Sequence, residues 1–321
     1  MSGGSPLKIA ILGVGGVGGY FGGRLAQSGA EVTFICRGEH LAAIRERGLR
    51  VESIAGDFVI HPARATDRPE EIGPVDFVLI CVKAPQLEAA ARQVGPLLGP
   101  QTLVVPTQNT IESIRLLPQI VPAEHVVGGF CRILSSRAAP GLIRHVGATP
   151  DITFAHLDGH ADPRLEALRD LFTKVGVTAT IPSDIVAKLW EKLIFVATLG
   201  GIGALARAPI GIVRTVPECR AMLEAGMREI EQLGLARGIA ISPGIVESYM
   251  GYIDRLEAAS VTSMHRDLQT GRPSELYECV GALVQAAREI GHPVPIYTLM
   301  FAALLPVELR SRGELAFPDE P

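Results

Sequence analysis

Lys8-Ile9-Ala10-Ile11-Leu12-Gly13-Val14-Gly15-Gly16-Val17-Gly18 decides the fold of this chain. An apolar strand runs into a glycine turn, a helical stretch follows as far as Ser28, and a second apolar strand covers residues 32–36. That order gives weight to a G-x-G-x-x-G spacing, which alone is weak. Gly13 permits a tight turn, Gly15 lets the backbone approach a pyrophosphate, and Gly18 lets the helix pack close against the sheet. Gly16 and Val17 open the helix, whose unpaired N–H groups face the phosphates. The turn reads as a dinucleotide site with Gly13, Gly15, Gly16, Val17 and Gly18 as cofactor-binding residues.

The end of the second strand selects the cofactor. An NAD site places Asp or Glu there, to accept a hydrogen bond from the ribose 2′-hydroxyl. Here the run ends in Cys36-Arg37-Gly38, and the nearest acid beyond it is Glu39. A guanidinium suits a 2′-phosphate through paired, charge-assisted hydrogen bonds. Arg37 points to NADP(H).

The 321 residues are enough for two domains of roughly 150 each. With 47% hydrophobic and 20% charged residues the composition is that of a globular chain. A net charge of −4, without a Lys/Arg cluster or an interleaved aromatic stripe, argues against a nucleic-acid partner. The five cysteines are scattered and never form C-x-x-C, so neither a disulfide framework nor a zinc site is expected, and a reducing cytosol fits. The eight histidines are read as unclustered, and no metal chemistry is expected from them. The opening Met1-Ser-Gly-Gly-Ser-Pro6 lacks the regions of a signal peptide. The longest uncharged apolar stretch, 193–206, has 14 residues, short of the roughly 20 that span a bilayer. It reads as a buried helix in a cytoplasmic protein with no membrane partner, and residues 317–321 are expected to fray.

Up to about residue 181, strand patterns at 8–12, 32–36, 77–82, 103–105, 126–133, 142–146 and 177–180 alternate with helical ones such as 39–47, 86–94 and 164–174. Near-continuous apolar strands such as 77–82 suggest burial on both faces of a parallel sheet. After Pro182 the texture turns helical, at 184–206, 220–237, 245–256 and 275–290, with Pro and Gly punctuation between. The fold class is an α/β Rossmann-type N-terminal domain, 1–182, followed by an all-α C-terminal domain, 183–321.

Ligands of such sheets bind beyond the carboxyl ends of the strands. Lys83 ends the apolar run 77–82, so its charge points at the crevice. Asn109 follows the strand 103–105 and is equally a plain turn residue or helix cap. Arg132, near the end of a neighbouring strand, reads as a surface residue. In the helical half, Lys188 and Lys192 lie four apart with Glu191 between, and no charge follows from Leu193 to Ala206. A lysine at the edge of such a run can be partly desolvated, which suits proton donation. By periodicity alone Lys192 reads better as a lysine whose head group reaches back to water. Farther on, Ser263-Met-His-Arg-Asp267 makes a helical turn, and Ser274-Glu275 opens a new helix as capping alone would predict.

Together these residues resemble the ketopantoate reductase (2-dehydropantoate 2-reductase) family. The matching pieces are the glycine turn, Arg37-Gly-x-His40, Val82-Lys83-Ala84, Gln108-Asn109, Lys188-Leu-Trp-Glu-Lys192-Leu193 and Ser263-Met-x-x-Asp267 with Glu275. They run in family order over nearly the whole chain, and the last two are the specific ones. The resemblance implies NADPH-dependent reduction of a 2-oxo acid, ketopantoate to pantoate, in pantothenate and coenzyme A biosynthesis. It implies Lys192 as general acid and Glu275 as the catalytic partner that contacts substrate and helps place Lys192. Ser263 would meet the substrate carboxylate, Lys83 and Asn109 would sit beside nicotinamide and substrate, and Arg37 would take the 2′-phosphate. Homodimerisation through the helical domain is a further family expectation. The chain departs from the family pattern where two substrate-holding asparagines are usual: Val196 and Gly200-Gly201 stand there, and Thr110 replaces the usual Gly after Asn109. A side chain that cannot donate a hydrogen bond discriminates a polar substrate poorly, so the preferred 2-oxo acid is expected to be more apolar, or differently shaped, near Val196. Two rivals are a β-hydroxyacid dehydrogenase-like enzyme, disfavoured by Arg37-Gly-x-His40 and the Ser263/Glu275 pattern, and a non-catalytic NADP(H) sensor.

Overall fold

The computed structural model describes residues 5–147 and 149–318. Residues 1–4, and 319–321 of the tail where fraying is expected, lie outside the described residues. Two units make up the chain. One holds the residues up to Gln108 together with Ser113–Ile185, the other Asn109–Glu112 together with the residues from Val186 onward. The second unit thus takes a short stretch from inside the first half of the chain as well.

Among the described residues the first unit has strands β1 (Lys8–Leu12), β2 (Glu31–Ile35), β3 (Leu49–Ser53), β4 (Phe58–Ile60), β5 (Arg64–Thr66), β6 (Phe77–Ile80), β7 (Leu103–Pro106), β8 (Gly128–Arg132), β9 (Ser135–Ala139), β10 (Leu142–His145), β11 (Asp151–Ala155) and β12 (Thr178–Thr180). The central sheet runs β5-β2-β1-β6-β7, every pair parallel. Its inner strands are apolar because helices cover both faces, and each residue of β6 is buried. The chain winds outward from β1 through β2 to β5, then returns to lay β6 on the other side of β1. That reversal makes a crevice at the carboxyl ends of β1 and β6, where ligands of this architecture bind. Two smaller sheets, β4-β3-β10-β9 and β12-β11-β8, complete the unit. Helix α1 (Gly16–Ser28) follows β1 and rests against β9 and β10. Helices α2 (Gly38–Arg47), α3 (Leu87–Ala91), α4 (Glu112–Leu116) and α5 (Pro163–Lys174) follow in order.

The second unit is helical among the described residues: α6 (Ile185–Ala206), α7 (Ile210–Val213), α8 (Pro217–Ala236), α9 (Ile245–Arg255), α10 (Ser263–Gln269), α11 (Ala282–Glu289) and α12 (Pro295–Ser311). A five-residue π turn, Tyr277–Gly281, leads into α11. Helix α6 has 22 residues, longer than the apolar run that marks it in the sequence, and by length and composition alone could cross a membrane. It is instead the core of this unit, with 72% of its apolar window buried inside the protein. Leu193, Ile194, Ala197 and Ile202 pack with Leu223, Met227, Ile230 and Leu233 of α8. Gly226 and Gly234 give α8 the close approach, facing Thr198 and Trp190. The Thr198 and Tyr297 hydroxyls, 2.7 Å apart and buried, tie α12 to α6.

Candidate active site

At the switch point the glycines divide their work. Gly13 has φ +95°, a left-handed conformation that other residues resist, and a Cβ there would lie 2.6 Å from Val82. Gly18 presses α1 onto β1, since a Cβ would run into the Gly13 carbonyl and the Cys81 and Ile11 side chains. Gly15 faces open space, with nothing within 4 Å of where its Cβ would be. A backbone left bare on its open side, at the start of a helix, is a surface a pyrophosphate fits. Gly16 does something the sequence does not reveal: a Cβ there would collide with the Ser135 carbonyl of β9. Val17 packs half-buried on the core.

A cavity of about 360 Å³ opens at this turn, lined by Gly13, Val14, Gly15, Cys36, Arg37, His40, Asp67 and Arg137 among others. Arg37 stands as the residue before α2, exposed, at the carboxyl end of β2. Arg137 on β9 also faces this cavity; sequence reading misses it, because nothing local marks β9 as a strand. Lys83 opens a tight turn just after β6 and is exposed. The Gln108 amide donates to the carbonyls of Ile80, at 2.9 Å, and Val82, at 2.7 Å, and so latches the segment that presents Lys83. Arg132 pairs with Asp151 at 2.6 Å, as a surface residue would.

In the helical unit, Asn109 and Thr110 meet the π turn. The Thr110 hydroxyl donates to the Glu278 carbonyl at 2.7 Å, and the Cys279 thiol points at the Asn109 carbonyl at 3.6 Å. A π turn leaves backbone carbonyls short of helical partners, and Thr110, where a glycine would offer no hydroxyl, supplies one. The Asn109 side-chain oxygen is buried and without a partner among the described residues. Cys279 N–H bonds the Glu275 carbonyl at 2.9 Å, so Asn109 and Glu275 are anchored through one residue. Glu275 itself is half-buried, and Ser263, the first residue of α10, is exposed. The turn before Glu275 is held from α12: the carboxylate of Glu308, fully buried, accepts from Ser274 N at 3.1 Å, from the Ser274 hydroxyl at 2.6 Å and from Arg312 at 2.6 Å.

Glu278 introduces a pH dependence. Burial, helped by the charges of Glu275 and Glu308 and opposed by Arg312, pushes its carboxyl from 4.5 up to about 7. Between those values the folded chain keeps a proton that the unfolded chain releases, so stability falls as pH rises through that window. Glu278→Gln is expected to flatten this loss. Urea midpoints followed by the fluorescence of Trp190, the only tryptophan and buried in the helical unit, check it; equal slopes for both proteins between about pH 4.5 and 7 would refute it.

Helix α6 carries Lys192 half-buried, with Val196 half-buried one turn on. Lys188 is set apart from it. Lys188 Nζ lies 2.6 Å from Glu191, whose carboxylate also accepts from the Ser242 N–H at 3.0 Å and hydroxyl at 2.6 Å. Gly200 has no room for a larger residue, because a Cβ would meet Met264 Cε at 2.7 Å and Thr262 Oγ1 at 2.9 Å. Gly203 likewise seats His265, and together these glycines let α10 lie close on α6.

Contrary to the expectation from sequence, two of the histidines do cluster. His156-Leu-Asp-Gly-His160 has an H-x-x-x-H spacing, and its rings stack 3.7 Å apart. Their nitrogens and an Asp162 oxygen all lie within 4.8 Å, a donor set of a kind that holds metals. Asp162 is already engaged: it caps α5, receives His156 Nε2 at 2.8 Å and is clasped by Arg164 at 2.6 Å. Burial works to raise its carboxyl, but the hydrogen bonds from Arg164 and His156 outweigh it and hold the group well below the usual carboxylate range.

Residues 9–159 match the family described as Ketopantoate reductase PanE/ApbA, and residues 184–308 match Ketopantoate reductase PanE/ApbA C terminal. The chain belongs to the ketopantoate reductase family. Ketopantoate reductases are oxidoreductases, and this chain is 30% identical over 317 residues to a 2-dehydropantoate 2-reductase of Mesorhizobium japonicum, covering 92% of this chain and 96% of the relative. The crystal structure of 2-dehydropantoate 2-reductase from Geobacter metallireducens is similar at a TM-score of 0.86 and 29% identity, over 93% of this chain and 99% of that one. The ketopantoate reductase fold extends further: a D-mandelate dehydrogenase, solved with NADH and anilino(oxo)acetate, aligns at a TM-score of 0.86 and 21% identity over 95% of this chain and 99% of its own.

Proposed function

We propose that this protein is an NADP(H)-dependent reductase of a small 2-oxo acid, with ketopantoate as the reference substrate. The observation that carries the reading is the pairing, within one ketopantoate reductase chain, of an open glycine turn beside Arg37 with a helical unit that presents Lys192 and Glu275. The bound cofactor supplies a hydride to the carbonyl carbon. Lys192 protonates the carbonyl oxygen as negative charge develops there, and its ammonium stabilises that charge beforehand. Glu275 hydrogen-bonds the substrate and helps place Lys192, Ser263 contacts the carboxylate, and Lys83 and Asn109 border nicotinamide and substrate. Arg37 takes the 2′-phosphate. The same reading puts the enzyme in pantothenate and coenzyme A synthesis in the cytoplasm, as a homodimer joined through the helical unit.

One observation favours a 2-oxo acid other than ketopantoate. Thr262 and Met264 fill the space where a side chain at position 200 would project, and Val196 is apolar. NADPH oxidation by the purified protein with ketopantoate and with bulkier apolar 2-oxo acids tests both. A kcat/KM of about 10⁴ M⁻¹s⁻¹ or more with ketopantoate assigns that substrate. The same rate only with an apolar acid assigns the alternative, and no turnover of any 2-oxo acid refutes the reductase.

A further inference from the structure

Two cavities meet at the end of β2. The first, of about 360 Å³, opens at the glycine turn. The second, of about 410 Å³, is lined by Arg37, Glu39, His40, Arg137, Ala138, Ala139 and Pro140. Three residues line both: Arg37, His40 and Arg137. Each cavity has one carboxylate in its wall, Asp67 in the first and Glu39 in the second, and neither is shared. The junction itself is therefore made of donors.

His40 is the built part of this junction. It is only 3% exposed, and its Nδ1 accepts the Gly141 N–H at 2.9 Å. A ring nitrogen that accepts cannot carry the proton, so the neutral ring holds it on Nε2. Burial and the nearby Arg137 charge both disfavour a second proton, while the Val14 carbonyl, which lies near Nε2 but outside hydrogen-bond geometry, favours it. The Nε2 donor is buried and has no partner within hydrogen-bond geometry among the described residues. Among the described residues neither Arg37 nor Arg137 makes an ion pair there, whereas Arg144 on the neighbouring strand β10 is paired with Glu52 at 2.9 Å.

The placement of Arg137 follows from a glycine. Because Gly16 has no side chain, β9 can lay the Ser135 backbone directly on the start of α1. Two residues along the strand, on the same face, comes Arg137. Two guanidinium forks and an imidazole N–H converging without an acceptor suit a tetrahedral dianion better than a planar carboxylate or a neutral hydroxyl. In this architecture the end of the second strand meets the ribose of the adenosine half.

We propose that Arg137 and the Nε2–H of His40 complete, with Arg37, a three-donor pocket for a phosphate monoester on the ribose 2′ position, which makes Arg137 a determinant of cofactor choice. This rests on the reading of the crevice as an NADP(H) site. The test is titration calorimetry of the full-length protein with NADPH, NADH and adenosine 2′,5′-bisphosphate. Arg137→Ala is expected to weaken NADPH and the bisphosphate about ten- to hundredfold and leave NADH within about twofold. Arg137→Lys should recover part of the loss as a point charge without the fork, and Arg144→Ala should change nothing. In ¹⁵N spectra the His40 Nε2–H signal should shift with adenosine 2′,5′-bisphosphate and stay in place with 5′-AMP.

The outcomes separate the two ideas. A wild-type protein that prefers NADH, or an Arg37→Ala variant with unchanged NADPH affinity, overturns the 2′-phosphate reading itself. Preference for NADPH that is lost in Arg37→Ala but kept in Arg137→Ala overturns the assignment of Arg137 alone. An unmoved His40 signal removes His40 from the pocket.

Discussion

Lys192→Ala is expected to lower kcat/KM for the 2-oxo acid by about 10²–10⁴-fold while leaving NADPH affinity within about twofold. A positioned general acid contributes that much, which is about 3–5 kcal/mol of transition-state stabilisation. The size of the effect follows from its surroundings on α6. Lys192 is half-buried and is the last charged residue on the helix, since none follows to Ala206. The nearest rival, Lys188, is neutralised by Glu191, itself held by Ser242. Lys188→Ala should therefore keep turnover of the folded enzyme within about threefold, its cost falling on stability because the buried Glu191 carboxylate loses its cation. Lys192→Arg should fail like alanine, because a guanidinium does not release its proton near neutrality. Steady-state rates alongside NADPH titrations decide the matter: full turnover in Lys192→Ala removes the general acid, and parallel loss of cofactor binding would reassign the residue to binding.

The second large effect is on stability. Glu308→Ala is expected to destabilise the helical unit by about 3–5 kcal/mol, the usual result of removing one partner from a buried charged pair. Glu308 is fully buried, and its loss strands Arg312 and takes the acceptor from Ser274 N–H. For a unit of this size the melting temperature should drop by roughly 10 °C. Glu308→Gln retains an acceptor for Ser274 and should lose less. Since Ser274 precedes Glu275, the alanine variant should also raise KM before it unfolds. A melting temperature within about 2 °C of wild type, read by Trp190 fluorescence, would show that this network is not a support.

Much of the site is legible in the sequence because its chemistry is local. The glycine turn, Arg37 at the end of β2 and Lys83 after β6 each follow an apolar strand, and the sheet places them where that order says. What is hidden depends on distant partners. Ser135-Ser-Arg-Ala-Ala139 has little intrinsic preference for a strand and becomes β9 only by pairing with β10. Arg137 is hidden with it. Helix α12 escapes notice because Pro306 interrupts its interior, and Glu308, the anchor of the Ser274 turn, goes unseen with it. Gly200 reads as a lost amide in the sequence, whereas the fold shows a seat for Thr262 and Met264. The pair His156 and His160 is different: the spacing is written in the sequence, and only the fold shows its rings stacked against Asp162.

The excursion of Asn109–Glu112 into the helical unit sets an order of assembly. Thr110 bonds a carbonyl 168 residues farther along the chain. At ordinary translation speeds that partner is made roughly ten to thirty seconds later. The Asn109 loop therefore waits, its buried oxygen still hydrated, while the nucleotide half of the protein is already out of the ribosome. This corner of the enzyme is completed among the last, and a nascent chain stopped short of the π turn would already hold Lys192 and Glu275 but nothing to anchor Asn109 and Thr110.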